Sequence, residues 1–183
     1  EPDYGRARGA RVGDRGRTLE AVIPELVSYL QGMFIWGHPR SQLNVIPNPS
    51  LASIISVLLP LIYNPNLCSD ESARLFAEAE VAAASMASSL VGYDPNRAAG
   101  QFTFGGTGTM LYGVKIGLEK AAPGSGRTGL KEDAVILAST QSHYSCLNVA
   151  SWLGIGQDQV IGVPTSLDNA IIVEALEEKA REA

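Results

Sequence analysis

The sequence predicts an α/β fold with a largely parallel sheet from residue 100 onward. Three short apolar runs end at Phe104, Ser139 and Val163, and stretches with helical spacing separate them. This alternation is typical of parallel strands that are covered by helices. Of the 183 residues, 45% are apolar and 18% are charged, which is enough apolar surface for a sizeable core. We therefore expect one domain, or part of a larger one.

Composition argues against several functional classes. The net charge of -5 disfavours nucleic acid as the main partner. Only two cysteines are present, Cys68 and Cys146, which favours a reducing, cytoplasmic compartment over a disulfide scaffold. The longest apolar run, 51–63, contains serines and a proline and is shorter than the roughly 20 residues that a membrane span needs. We expect a soluble protein that does not bind membranes.

The first third of the chain contains a long segment without charge. Residues 1–17 carry five arginines and no periodicity, as a solvated arm does, and Thr18 is expected to cap a helix that ends before Gly32. From 41 to 69 there is no charged residue, and an apolar helix is predicted over 51–62. This segment packs either in the domain core or against another subunit. Because little of its own domain precedes it, we favour a subunit interface.

The later elements follow from periodicity and turn residues. Ser69 is expected to cap a helix that runs to Val91 and buries a stripe of five residues: Leu75, Ala79, Ala82, Met86 and Leu90. The remaining predicted elements are a helix over 110–122, a loop over 123–129, a strand over 134–139, a helix over 144–153, a strand over 159–163 and a helix over 169–181.

A cup of glycines and hydroxyls, Gly105–Thr109, lies between the apolar run 101–104, predicted to be a strand, and the helix. The first N–H groups of a helix lack intrahelical acceptors, and the helix dipole adds partial positive charge there. Glycines let the backbone approach a phosphate, and Thr107 and Thr109 can donate hydroxyl hydrogens. The pattern therefore indicates an anion site, but a simple turn with threonine as the helix N-cap explains it equally well.

His143 is the second candidate, because it follows a predicted buried strand at the edge where α/β sheets bind ligands. A helix-start residue without a functional role is the alternative interpretation. A metal site or a Cys–His nucleophile with Cys146 lacks a third group. The segment 124–129 matches Gly-x-Gly-x-x-Gly, yet it follows a helix and precedes a strand, which is the wrong order for a dinucleotide site.

Three motifs in order carry a family resemblance: Trp36-Gly-His-Pro-Arg40, Gly105-Gly-Thr-Gly-Thr109 and Ser142-His-Tyr-Ser145. Together they resemble the amino-terminal part of the pyridoxal-phosphate-dependent group II amino acid decarboxylases. The resemblance covers about 26–183. It implies the type I fold of pyridoxal-phosphate-dependent transferases, which is aspartate-aminotransferase-like, and a homodimer whose amino-terminal segment wraps the partner subunit.

The resemblance also implies roles for individual residues. Thr107, Gly108 and Thr109 would bind the phosphate of pyridoxal 5'-phosphate. His143 would stack on the pyridine ring and help hold the substrate carboxylate or a protonation site, and His38 and Pro39 would lie near the substrate entrance. Pro47 matches a proline of the family pattern. Val45 and Ile46 stand where members with aromatic substrates carry large aromatic side chains, which argues against an aromatic substrate.

One part of the family pattern is absent. No lysine stands in a Schiff-base motif; the four lysines are Lys115, Lys120, Lys131 and Lys179. The aspartate that pairs with the pyridine nitrogen is not recognisable either. We therefore expect an amino-terminal fragment that is inactive alone, with an arm and interface segment over 1–50 and the first part of the cofactor-binding large domain over 51–183.

The expected activity of the full-length enzyme is decarboxylation of an L-amino acid to the corresponding amine. Two alternatives stay open: a carbon–carbon lyase of the sphingosine-phosphate-lyase type, and a non-catalytic remnant of the fold. The expected partners are an amino acid substrate and a second copy of the chain, with neither nucleic acid nor a metal ion.

Overall fold

The computed structural model describes residues 2–42, 48–131 and 133–183, and the chain divides into two units, 1–64 and 65–183. Predictions for Val45, Ile46 and Pro47 lie outside the described residues. The helices are α1 (Tyr4–Arg8), α2 (Leu19–Ser28), α3 (Leu51–Tyr63), α4 (Asp70–Ala73), α5 (Phe76–Leu90), α6 (Gly105–Ala121), α7 (Ser125–Thr128), α8 (Ser145–Trp152) and α9 (Val173–Glu182). The strands are β1 (Ile136–Ser139) and β2 (Val160–Val163), and a 3₁₀ turn covers Gln157–Gln159.

The first unit contains no buried residue among 2–42 and 48–64. Its helix α3 is locally well specified: the Ser50 hydroxyl accepts the Ser53 amide hydrogen at 3.1 Å, and Asn64 ends the helix in the left-handed conformation. Every large apolar side chain of α3 is nevertheless between 47% and 76% exposed. Local capping therefore explains why the helix forms. The apolar surface of the helix nevertheless remains exposed.

The core of the second unit lies around the two strands. β1 and β2 pair in parallel, with Ile136 opposite Val160 and Ser139 opposite Val163. Helices α8 and α9 each contact both strands, and α6 packs against α8. Val149, Ala150 and Val163 are completely buried. The predicted parallel α/β arrangement is therefore confirmed.

The helix predicted over 69–91 is broken into α4 and α5. Arg74 has φ of 52°, a left-handed conformation that a helix interior does not adopt. The five residues of the predicted buried stripe are all exposed, so that prediction is wrong. The buried positions here are Ala73 and Ala84, because the contacts are made through small side chains rather than large ones.

The strand predicted over 101–104 is absent, and α6 begins at Gly105 rather than at Met110. A strand needs a hydrogen-bonded neighbour, and none of the described residues pairs with 101–104. The glycine cup is consequently the first turn of α6. Among the described residues, no helix combines the length and apolarity that crossing a bilayer requires.

Candidate cofactor-phosphate site

The cup opens a 17-residue helix through an unusual N-cap. The N-cap residue of α6 is Phe104, which has no side-chain oxygen to satisfy the first amides. This contradicts the alternative interpretation with threonine as the N-cap. Gly105 has φ of +75°, which only glycine adopts without strain, and its amide donates to the Thr103 carbonyl oxygen at 2.9 Å.

Two successive backbone amides follow without an acceptor. The N–H groups of Gly106 and Thr107 meet no hydrogen-bond acceptor within the described part of the chain, whereas Gly108 stands where the first intrahelical bond of α6 forms. Such groups at the start of a long helix favour a bound anion, because the helix dipole adds to their own partial charge. The cup therefore has donors available for a phosphate.

Gly108 is the buried member of the cup. A Cβ atom at this position would lie 3.1 Å from ring atoms of Phe104 and 3.1 Å from Cβ of Thr103. Those distances are below ordinary van der Waals contact. A side chain at position 108 would thus push aside the residues that shape the cup.

The hydroxyl groups around the cup are bonded unequally. Thr103 Oγ1 and Thr109 Oγ1 are 2.8 Å apart, and both reach the Gly105 carbonyl oxygen, at 3.0 and 3.4 Å respectively. The Thr107 hydroxyl has no hydrogen bond to any described residue. Only one of the two predicted threonine hydroxyls is consequently unengaged.

His143 lies four residues after β1 and immediately before the N-cap of α8. Its Nδ1 accepts the amide hydrogen of Ser145 at 3.2 Å. The neutral ring therefore carries its proton on Nε2, which leaves an N–H donor on the far side. The imidazole and Tyr144 rings lie 4.0 Å apart, centroid to centroid, at 34°. His143 is exposed, as a residue that meets a ligand must be.

The other two predicted residues, His38 and Pro39, lie in the first unit and are exposed. His38 forms a turn of the same kind as His143: its Nδ1 accepts the amide hydrogen of Arg40 at 3.1 Å. Its carbonyl oxygen accepts from the Ser41 amide at 2.8 Å. In the neutral ring, the bond from the Arg40 amide to Nδ1 places the proton on Nε2.

The Gly-x-Gly-x-x-Gly segment is bound by an acid of its own chain. One oxygen of the Glu119 carboxylate accepts from the Gly124 amide at 2.7 Å, and the other accepts from the Gly126 amide at 2.9 Å and the Ser125 hydroxyl at 3.1 Å. The bonds from Gly126 and Gly124 hold the pKa of Glu119 below its ordinary value of 4.5. Because a carboxylate already binds these amides, the geometry argues against a nucleotide phosphate here.

The lysines and cysteines show no activated nucleophile. Lys179 donates to Glu182 at 2.7 Å, and this hydrogen bond raises the pKa of its amine, the opposite of what a nucleophilic lysine needs. Cys146 is buried in α8. The described residues contain no group of three or more histidine, cysteine, aspartate or glutamate side chains arranged to share a metal ion.

Three residues that shape the cup and the Gly-x-Gly-x-x-Gly segment were not predicted to do so: Thr103, Phe104 and Glu119. Thr103 precedes the cup by two residues, and the only sequence feature that pointed to it was Thr109, a second hydroxyl residue with which it could form a hydrogen bond. Glu119 stands five residues before Gly124, a separation that an α-helix ending between them can bridge.

Comparison with known proteins adds independent findings. No family model matches the chain. It is 26% identical over 148 residues to acidic amino acid decarboxylase GADL1 of Bos taurus, which covers 80% of this chain and 28% of that protein. It is 25% identical over 178 residues to L-2,4-diaminobutyrate decarboxylase of Rhizobium meliloti (strain 1021), covering 96% of this chain and 32% of that protein.

Among solved structures, that of mouse CSAD in apo form superposes with a TM-score of 0.84 at 21% identity, covering 98% of this chain and 38% of that one. The chain therefore has the type I fold of pyridoxal-phosphate-dependent transferases, as predicted. The predicted resemblance to the group II amino acid decarboxylases is also confirmed. The chain spans about a third of the length of the curated relatives it matches.

Proposed function

We propose that this chain is part of a pyridoxal-phosphate-dependent enzyme that decarboxylates an L-amino acid to the corresponding amine. The observation that carries the proposal is the pair of unpaired amides at Gly106 and Thr107, in a chain whose relatives are named as decarboxylases. In this proposal Thr107, Gly108 and Thr109 form the phosphate site, and His143 faces the cofactor ring.

The residues present fit a phosphate monoester. Two free amides and one free hydroxyl match a group with several acceptor oxygens, and the buried Gly108 leaves room for close backbone approach. The exposed His143 imidazole presents a flat face and an Nε2–H donor, which suits both stacking and a hydrogen bond to a carboxylate.

The cofactor, when bound, supplies an electron sink for cleavage of the bond at Cα. This chain's residues contribute positioning. The amides of the cup would hold the phosphate without reorganisation, since their directions are set by α6. His143 would hold the ring plane and donate from Nε2 to the substrate carboxylate, or would hold a proton for Cα, the carbon that loses the carboxyl group and gains the proton. His38 and Pro39 would line the substrate entrance.

We further propose that the active form is a homodimer in the cytoplasm, with α3 in the interface. The exposed apolar side chains of α3 support this, because covering apolar surface stabilises an assembly in proportion to the area removed from water. Val57→Glu should shift the full-length protein from dimer to monomer in sedimentation at micromolar concentration. Leu167→Glu, a change from an apolar residue to glutamate at a fully exposed position outside the amino-terminal segment, should not. A monomeric wild-type protein contradicts the interface.

The activity test uses protein expressed from the complete coding sequence, with added pyridoxal 5'-phosphate. Carbon dioxide release is measured with a panel of L-amino acids that includes glutamate, 2,4-diaminobutyrate and tryptophan. Release with at least one of them supports the proposal. Retained cofactor without any release favours the carbon–carbon lyase, and failure to retain the cofactor favours the non-catalytic remnant.

A further inference from the structure

We propose that the two predicted phosphate-binding threonines have different roles. Thr107 alone donates a hydroxyl hydrogen to the phosphate, whereas Thr109 is a positioning residue whose hydroxyl forms a clasp with Thr103 across the cup. The assignment to a phosphate rests on the proposed function, but the clasp between Thr103 and Thr109 does not.

The clasp follows from counting hydrogens. Thr103 and Thr109 have one hydroxyl hydrogen each, and their oxygens lie 2.8 Å apart. The Gly105 carbonyl oxygen lies 3.0 Å from Thr103 Oγ1 and 3.4 Å from Thr109 Oγ1. The shorter of these two distances assigns the Thr103 hydrogen to the carbonyl, so the Thr109 hydroxyl donates to Thr103 Oγ1. With this assignment both hydrogens are used within the cup, and none is left on Thr109 for a phosphate oxygen.

Thr107 differs from both neighbours. Its hydroxyl has no partner in the described ranges, and its own amide is one of the two unpaired donors. The hydroxyl and the amide of one residue can therefore turn to the same anion without breaking an existing bond. A hydrogen bond from a free hydroxyl to an anion contributes more to the binding free energy than one from a hydroxyl that must first break an existing hydrogen bond.

The position of the clasp explains what it does. Thr103 precedes the cup and Thr109 is its last residue, so the pair spans the residue with positive φ and joins the entering chain to the start of α6. Both hydroxyls reach the carbonyl of that residue, Gly105. The clasp thus holds the carbonyl away from the following amides and keeps them in place before an anion arrives.

The test uses Thr→Val variants, which keep the side-chain shape and remove the hydroxyl. Two quantities are measured in the full-length protein: the Kd for pyridoxal 5'-phosphate, with pyridoxal as the probe that lacks phosphate, and exchange of the Gly105 amide hydrogen in the cofactor-free protein. That amide donates to the Thr103 carbonyl and so reports on the shape of the cup.

Thr107→Val should weaken pyridoxal 5'-phosphate binding about tenfold, leave pyridoxal binding unchanged and leave Gly105 exchange unchanged. Thr103→Val and Thr109→Val should each speed Gly105 exchange about fivefold and weaken pyridoxal 5'-phosphate binding by a smaller factor than Thr107→Val does. In the Thr103→Val/Thr109→Val double variant, the Gly105 amide should exchange no faster than in either single variant, because all three variants lose the same hydrogen bond between the two side chains.

Thr103→Ser and Thr109→Ser keep the hydroxyl and should exchange as the wild type does, which separates the clasp from general loss of packing. The assignment is overturned if Thr109→Val weakens phosphate binding as much as Thr107→Val while Gly105 exchange stays at the wild-type rate. If the wild type binds no pyridoxal 5'-phosphate, the proposed function fails, and the exchange rates still decide whether the clasp exists.

Discussion

Two glycine-rich segments of this chain each open a helix, and they differ in what their amides bind. In the cup, 105–109, the amides of Gly106 and Thr107 meet no acceptor among the described residues. In the loop 124–129, the amides of Gly124 and Gly126 donate to the Glu119 carboxylate. The loop matches a known phosphate-binding letter pattern and the cup does not. The availability of amide donors therefore differs between the two segments in a way that the pattern of glycines does not predict.

The difference comes from one acid and its place on a helix. Glu119 lies in the last turn of α6, which ends at Ala121, and the chain turns back so that Gly124 and Gly126 reach its carboxylate. The start of the same helix has no acid in its first turn. A single helix thus carries an internal anion at one end and unpaired donors at the other.

The largest expected effect comes from closing the cup. Gly108→Ala should weaken pyridoxal 5'-phosphate binding at least tenfold, because the added Cβ would lie 3.1 Å from Phe104 and Thr103 and displace the amides. The measurement is cofactor content after dialysis, together with the Kd for rebinding.

Gly113→Ala is the matched control for Gly108→Ala, since it makes the same change in α6 where no atom lies within 4 Å of the new Cβ. It should leave cofactor affinity unchanged and raise thermal stability slightly, because alanine favours a helix more than glycine does. Equal cofactor affinity in the two variants would contradict the phosphate assignment at Gly108.

A smaller effect is expected from removing the internal anion of the loop. Glu119→Gln removes the charge and one acceptor oxygen, so exchange of the Gly124 and Gly126 amides should rise severalfold. Cofactor affinity should stay the same. A loss of cofactor in this variant would show that the loop, and not only the cup, contributes to the phosphate site.

The loop should also respond to pH in a direction that the lowered pKa of Glu119 determines. The folded state binds the carboxylate more favourably than the unfolded chain does, so its contribution is full above the ordinary value of 4.5 and is lost as pH falls through the lowered pKa. Protection of Gly126, corrected for intrinsic exchange, should therefore decline only below about pH 4.5. In Glu119→Gln it should stay flat over the same range.

The smallest expected effect is that of Ser125→Ala. Its hydroxyl donates to the Glu119 carboxylate at 3.1 Å but is the third donor to a group that two amides already bind. Exchange of the Gly124 and Gly126 amides should rise by about twofold. An effect as large as that of Glu119→Gln would mean that the hydroxyl, rather than the amides, holds the loop.

The elements of the second unit were predictable from periodicity and turn residues to within a few positions. Strand 134–139 is found at Ile136–Ser139, and helix 144–153 is found at Ser145–Trp152. The run 101–104 was not predictable in this way, since a strand depends on a neighbour that no local pattern specifies. The stripe through Leu75 and Leu90 failed for a related reason: alanines face the contacts in α5, and helical spacing alone does not say which face is covered.

By itself, the sequence determined local features of this protein: the N-cap of α3 at Ser50, the start of α8 at Ser145 and the glycine with positive φ at position 105. These depend on residues within about one helical turn of each other. The order of the three family motifs is likewise a property of the sequence alone. Only the tertiary structure decided which amides stay free, that Thr109 meets Thr103, and that Glu119 occupies the other glycine-rich loop. Those outcomes depend on which groups the folded chain brings within hydrogen-bond distance. Packing decides this, and the spacing of residues along the sequence does not.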